Sequence, residues 1–322
     1  MNEEAADLRE AGTWTRSQAR KNDLIYLAVR CALALLVPLP PRLLRAIGRA
    51  LGLLALALLA RERRTALANV GQVFPTLAEA DRRRVVRSAY LRLGAHLGDA
   101  VASLDARRGL MPIDVDAATV GLLASKRVAS DGRPRGVVFA SAHLGPWERV
   151  AGTLVARGVP MTVLARETYD PRLDSVYERL RGGRGVDAIY RGRAGAAVRI
   201  VRTLRSGGVL GIPMDLRSRV PSVDVSFLGI ETGVPVGPAR IALRVGAAVV
   251  VGSVAPDPQA PGRLRITCTE IPTDDLAPGD AGERTLTARI ARELTDRILE
   301  LPDEWVWMHD RFGKESRRLT GA

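Results

Sequence analysis

The sequence predicts an α/β fold: a largely parallel central sheet flanked by helices, preceded by N-terminal apolar, membrane-associating helices. Three observations carry this. From residue 136 onward, near-continuous apolar runs alternate with helical patterns, the rhythm of strands buried on both faces. The 322 residues are 47% apolar and 26% charged, which is globular composition with enough chain for a substantial core. Before residue 136 the pattern is helical, and two of its segments are strongly apolar. The division drawn from this is residues 1–62 as polar N-terminus and membrane-associating helices, and 63–322 as the main domain.

In chain order, residues 1–22 are polar and expected to be poorly ordered. Residues 24–41 form an apolar stretch ending at Pro38, Pro40 and Pro41, which cannot continue a helix. A second apolar helix covers 43–60, with Arg61, Arg63 and Arg64 as a basic cap. Arg30, Arg45 and Arg49 interrupt these segments, and a span needs about 20 predominantly apolar residues. The leucines of 51–59 surround their helix rather than forming one stripe. Two readings compete: a helix pair buried in the fold, or an interfacial anchor whose arginines snorkel toward anionic headgroups. The leucine distribution favours the anchor.

Asn69 to Pro75 reads as a turn, and 76–104 as an amphipathic helix with Val85, Val86, Tyr90 and Leu93 inside. His96, on that helix, is given a structural role. Strands are expected at 136–142, 159–165, 186–190, 208–214, 223–228, 247–254 and 263–270. Helices are expected at 147–157, 171–181, 194–206, 235–245 and 280–301, the last stopped by Pro302.

The net charge is +13, and 45 of the 48 basic residues are arginines. Such a surface attracts anions: phosphates, acidic proteins, anionic lipid or nucleic acid. The arginines are dispersed, with few aromatics between them as stacking platforms, which argues against nucleic acid. Cys31 and Cys268 lie far apart with no CxxC, consistent with a reducing compartment. Residues 1–10 are acidic, unlike a secretory n-region, so the main domain is expected on the cytoplasmic side.

Ligands of open α/β sheets bind beyond the carboxyl ends of the strands. Three polar residues fall there: His143 after 136–142, Arg166 after 159–165, and Asp215 after 208–214. The stretch Ser141-Ala142-His143-Leu144-Gly145-Pro146-Trp147-Glu148 is the most informative. Five residues along a continuous helix would set His143 and Glu148 about 140° apart. Gly145 and Pro146 break the chain, so Glu148, in the first turns of the following helix, is expected to reach one imidazole nitrogen and fix its tautomer. The other nitrogen is then free to accept a proton from a hydroxyl. There is no GxSxG elbow, no phosphate-binding glycine motif, and no HExxH or Cys/His cluster. A base without its own nucleophile suits direct transfer, a substrate hydroxyl attacking an activated acyl carbonyl, with no metal.

His143-x-x-x-x-Glu148 resembles the HX4D/E signature of the glycerolipid and lysophospholipid acyltransferases. The resemblance extends to their lipid A late acyltransferase branch through Asn69-Val70 with Phe74-Pro75, Arg181 with Gly185, and Pro213-Met214-Asp215. It continues through Phe227-Leu228-Gly229, Thr232, Ala239-Arg240, Leu243, Gly246-Ala247 and the terminal Trp305-Val306-Trp307-Met308-His309-Asp310-Arg311-Phe312. The ordered set covers roughly residues 24–313.

The resemblance implies a glycerolipid acyltransferase-like fold, with residues 63–322 as the acyltransferase domain. It implies a membrane-associated O-acyltransferase that moves a fatty acyl chain from acyl carrier protein, or coenzyme A, to a hydroxyl of a lipid A precursor or related glycolipid. The thioester is a donor substrate, and no cofactor is implied. His143 is then the base and Glu148 its partner; Arg166 and Arg181 bind substrate phosphates or carboxylates, and Asp215 supports the site. The location implied is the cytoplasmic face of the inner membrane, against an anionic surface. The sequence departs from the pattern at Pro146 and at Leu216-Arg217. Alternative acceptors are a phosphatidylinositol mannoside or a lysophospholipid. A non-catalytic basic lipid- or nucleic-acid-binding protein is the reading from another class. His309 and Arg311 are read either as site residues or as a latch against the sheet.

Overall fold

The computed structural model describes residues 14–313 apart from 106, 108–111, 167, 169, 258 and 261; residues 1–13 of the polar N-terminus and 314–322 lie outside the described residues. Seven strands form one sheet in the order β1-β9-β8-β2-β5-β3-β4. They are β1 (Ile113–Val115), β2 (Val137–Ser141), β3 (Met161–Ala165), β4 (Asp187–Tyr190), β5 (Val209–Pro213), β8 (Ala248–Pro256) and β9 (Leu264–Ile271). Every pairing is parallel except β8 with β9. The strand β2, Val-Val-Phe-Ala-Ser, is buried from Val137 to Ala140 and sits fourth of seven. It can be apolar throughout because helices and loops cover both faces.

The expected strand at 223–228 forms, but outside this sheet. It is β6 (Ser222–Phe227), in an antiparallel hairpin with β7 (Ile230–Pro235). The two-residue turn sets Leu228 at φ 55° and Gly229 at φ 77°, the left-handed pair that a tight hairpin turn requires. Leu228 adopts it because its side chain is buried and its N–H is held by Thr295 Oγ1 at 2.9 Å.

Helices α5 (Ala117–Lys126), α6 (Val150–Val155), α7 (Asp174–Gly182), α8 (Ala196–Arg205), α9 (Gly237–Val245) and α10 (Asp280–Glu300) accompany the sheet. Two cores result, one on each face. Phe139, Val250 and Ile266 point into one, and Val138, Ala140 and Val251 into the other with Ile290, Leu294, Trp305 and Trp307.

The N-terminal region is α1 (Arg16–Leu36), α2 (Pro41–Leu58), α3 (Ala60–Val73) and α4 (Glu79–Ser103). Residues 16–22, expected to lack order, are helical behind a capping box of Thr15 and Gln18. The expected cap at Arg61, Arg63 and Arg64 instead opens α3, which leaves α2 at an angle of 91°. The division drawn at residue 62/63 therefore falls inside a helix, and Asn69, expected in a turn, lies on α3. No single helix among the described residues is long and apolar enough to cross a membrane; α2 and α3 reach that composition only together, as a bent pair.

Glycines set how α2 sits. Gly48 and Gly52 of α2 face Gly94 and Tyr90 of α4, so closely that a Cβ on Gly94 would lie 2.1 Å from the carbonyl oxygen of Gly48. Small residues four apart on both helices permit this approach. Arg45 pairs with the buried Asp99 across the same seam, so this arginine faces into the protein rather than toward headgroups. Gly94→Val should therefore destabilise the protein by about 3 kcal/mol, read as a lowered Tm in detergent. An unchanged Tm would mean the helices part without cost.

Candidate active site

β2 and β5 are neighbours, paired from Val137–Val209 to Ser141–Pro213. Two residues beyond each paired end stand His143 and Asp215. Parallel register therefore brings together residues 72 apart in sequence. Asp215 is fully buried. Its Oδ1 lies 2.8 Å from His143 Nδ1. Its Oδ2 accepts two hydrogen bonds, from the His143 backbone N–H at 2.9 Å and from Trp305 Nε1 at 2.7 Å. With a carboxylate on Nδ1, the imidazole carries its proton there and presents Nε2 as the acceptor. The ring is 24% exposed and meets Trp147 edge-on at 5.1 Å.

The expected partner of His143 was Glu148, and this is corrected. The break is present as expected: Gly145 turns with φ 60°, where a Cβ would come 2.7 Å from the Val254 carbonyl oxygen, and Pro146 follows. Glu148 then falls in a 3₁₀ turn (Trp147–Arg149), and its carboxylate accepts from Arg181 Nη2 at 3.2 and 3.4 Å. The orienting carboxylate comes from the neighbouring strand instead. Asp215, expected in a supporting role, takes the position assigned to Glu148.

Arg181, on α7, also stacks over Tyr177 at 5.3 Å. Arg166 is exposed immediately after β3. It lies on the same rim, two strand spacings or about 10 Å from β2.

Burial alone would depress the His143 pKa. The charge and hydrogen bond of Asp215, with the charge of Glu148, outweigh it and raise the imidazole above its ordinary value. Burial would likewise raise Asp215, but the His143 charge and the hydrogen bonds from His143 and Trp305 hold it below the usual carboxylate range. Cys268 is no rival nucleophile: burial pushes its thiol up to about 12.

A cavity of about 390 Å³ opens beside Trp147 and Glu148, next to the His143 ring that Trp147 meets. Ser141, Trp147, Glu148, Arg181 and Pro213 line it near His143, and Phe139, Val150, Met161, Val163, Leu180 and Val186 supply apolar wall. An engineered apolar cavity of about 150 Å³ accommodates benzene, so by proportion this one has room for a chain on the order of a dozen carbons.

The segment carrying Trp305 entered the sequence reading only as a family block and, through His309 and Arg311, as site residues or a latch; Trp305 itself had no role there. Residues 304–311 lie across the site as a strap. Leu144 bridges Trp305 in antiparallel fashion, and Gly145 N–H donates to the Glu304 carbonyl at 3.0 Å. The Glu304 carboxylate is tied to Arg92 at 2.6 Å and His96 at 2.7 Å. Asn69 Nδ2 donates to the carbonyls of Trp307 and His309, both at 2.8 Å. His96 thus has the structural role expected of it. The signal for burial was the pair of tryptophans and the phenylalanine at 305–312, too aromatic for a solvated segment.

A protein-family model described as bacterial lipid A biosynthesis acyltransferase matches residues 16–314. No curated protein matched the chain in a sequence comparison.

Proposed function

Because the chain belongs to the bacterial lipid A biosynthesis acyltransferase family, we propose that it moves a fatty acyl chain from an acyl carrier protein or coenzyme A thioester to a hydroxyl of a lipid A precursor, with His143 as general base. The observation that carries this reading is the His143–Asp215 pair beside a largely apolar cavity walled by Trp147, the ring that His143 meets edge-on. The acyl chain occupies the cavity, which places its thioester carbonyl at the rim. Nε2 of His143 removes the proton of the acceptor hydroxyl as that oxygen attacks the carbonyl. The tetrahedral adduct collapses with cleavage of the C–S bond, and the imidazolium returns the proton to the departing thiolate. Ester and free thiol are the products.

Asp215 fixes the tautomer and offsets the imidazolium charge. Glu148 and Arg181 act at the mouth: Arg181 holds an acceptor phosphate or the donor's anionic linker, with Arg166 further along the rim, and Glu148 orients Arg181 while adding negative charge beside the base. Exposed Leu24, Leu27 and Leu35 of α1 and Leu51, Leu54 and Leu58 of α2 rest in the interface of an anionic membrane, on the cytoplasmic face of the inner membrane.

The test incubates purified protein with acyl carrier protein thioesters of graded chain length and a lipid A precursor, and reads the lipids by mass spectrometry. One added acyl mass on the precursor supports the reading; no acylated product from any donor sinks it. In parallel incubations with a phosphatidylinositol mannoside and a lysophospholipid, acylation of those alone would show that the acceptor is not a lipid A precursor. Ala151→Phe, which fills the cavity wall, should shift the preferred donor to shorter chains. An unchanged preference would place the chain elsewhere.

A further inference from the structure

Arg311 is fully buried, and its pairing is unusual for a buried cation. Nη1 donates to Thr232 Oγ1 at 3.2 Å, while Nε and Nη2 are buried without a hydrogen-bond partner. Its guanidinium stacks over the Phe227 ring at 4.7 Å. Phe227 in turn meets Trp305 edge-on at 6.2 Å, and Trp305 donates to Asp215. A buried cation and a buried anion thus share one aromatic wall. An ion left in the interior without compensation is strongly destabilising, and a desolvated cation–π contact offsets only part of that cost. Beyond that wall, the Asp215 charge is the one that favours the charged form of the guanidinium.

We propose that Arg311 is a positioning residue of the site, the counter-charge that lets Asp215 stay ionised while His143 is neutral and competent as a base. This deepens the reading of His143 as the base and rests on it. When His143 is neutral, Asp215 and Arg311 balance. When His143 takes up a proton, Arg311 opposes the added charge, so the proton is passed on more readily. Burial brings the Arg311 pKa down to about 10, so the guanidinium remains cationic at neutral pH. The other charged groups around the pair are Glu148 at the cavity mouth, Arg217 beyond β5, and His309 and Asp310 on the strap. Glu148 is negative and turned to Arg181, His309 is depressed by burial, and the Arg217 charge acts against that of Arg311.

The chain has three histidines, so NMR of the full protein labelled at histidine, in detergent micelles, can follow each imidazole, with His143→Gln assigning the resonance. Arg311→Met should raise the His143 pKa by roughly one unit and move the acid limb of kcat/KM upward by the same amount. Arg311→Lys, which keeps the charge, should restore both. A lowered Tm with an unmoved His143 titration would overturn the proposal and leave Arg311 a packing residue. Should Arg311→Met alone not fold, the change is made in the Asp215→Asn background. Charge balance requires the double variant to be more stable than Asp215→Asn alone, and a further loss of stability would overturn it. The titration needs no turnover, so it answers even if the protein transfers no acyl group to the lipids tried.

Discussion

Asp215→Asn is expected to lower kcat by roughly 10³- to 10⁴-fold while leaving the protein folded. The equivalent change in a serine protease triad costs about 10⁴-fold because the amide favours the wrong imidazole tautomer. The same logic applies here: an Asn amide can donate to Nδ1, which would put the proton on Nε2, where the base must be vacant. The hydrogen bonds that Asp215 accepts from the His143 backbone and Trp305 can still be met by the Asn oxygen, so the loss should appear in kcat with little change in circular dichroism. Glu148→Gln should cost much less in kcat, since Glu148 touches Arg181 rather than the imidazole. Equal losses in the two variants, measured side by side with one acyl donor, would return the orienting role to Glu148.

His143→Ala is the second large effect, a fall of roughly 10²- to 10⁴-fold in kcat, the span a positioned general base contributes. Donor binding should persist, because the apolar cavity is intact. The wild-type pH profile carries the same information. The His143 pKa is raised, so the base is blocked by its proton at low pH. The acid limb of kcat/KM should therefore lie above about 6.5, the unperturbed imidazole value, with activity increasing as pH rises through it. His143→Ala should abolish that limb along with the rate. Turnover that survives with its limb in place would assign the base elsewhere.

The central strands were legible because β2, β5 and β8 are mostly Val, Ala, Gly and other apolar residues, and burial on both faces demands that composition. The partner of His143 was not. Sequence spacing favours near neighbours, and Glu148 is five residues away. Asp215 is brought in by β5 lying beside β2, a strand order that no local pattern encodes. Its position on the rim was legible; its pairing was not. The β6–β7 hairpin was hidden by Leu228, a bulky residue where a left-handed turn normally shows Asn or Gly. The strand β1 has three residues, too few to set a period. In α2, Arg45 read as an interruption of an apolar helix, and only the fold reveals Asp99 beneath it.

The strap has a consequence for the order in which the protein becomes active. Asn69 is joined to the Trp307 carbonyl across 238 residues of chain. The indole that donates to Asp215 is also among the last described residues to be synthesised. A growing chain can pack the glycine seam of α2 and α4 and pair β2 with β5 long before Trp305 leaves the ribosome. Until then Asp215 lacks its indole donor, and the site lies open where the strap will cross it. Whatever pairs β2 with β5 therefore brings His143 and Asp215 together before residue 305 can complete the hydrogen bonding of that carboxylate. A chain ending at residue 304 should retain all seven strands of the sheet and show no turnover.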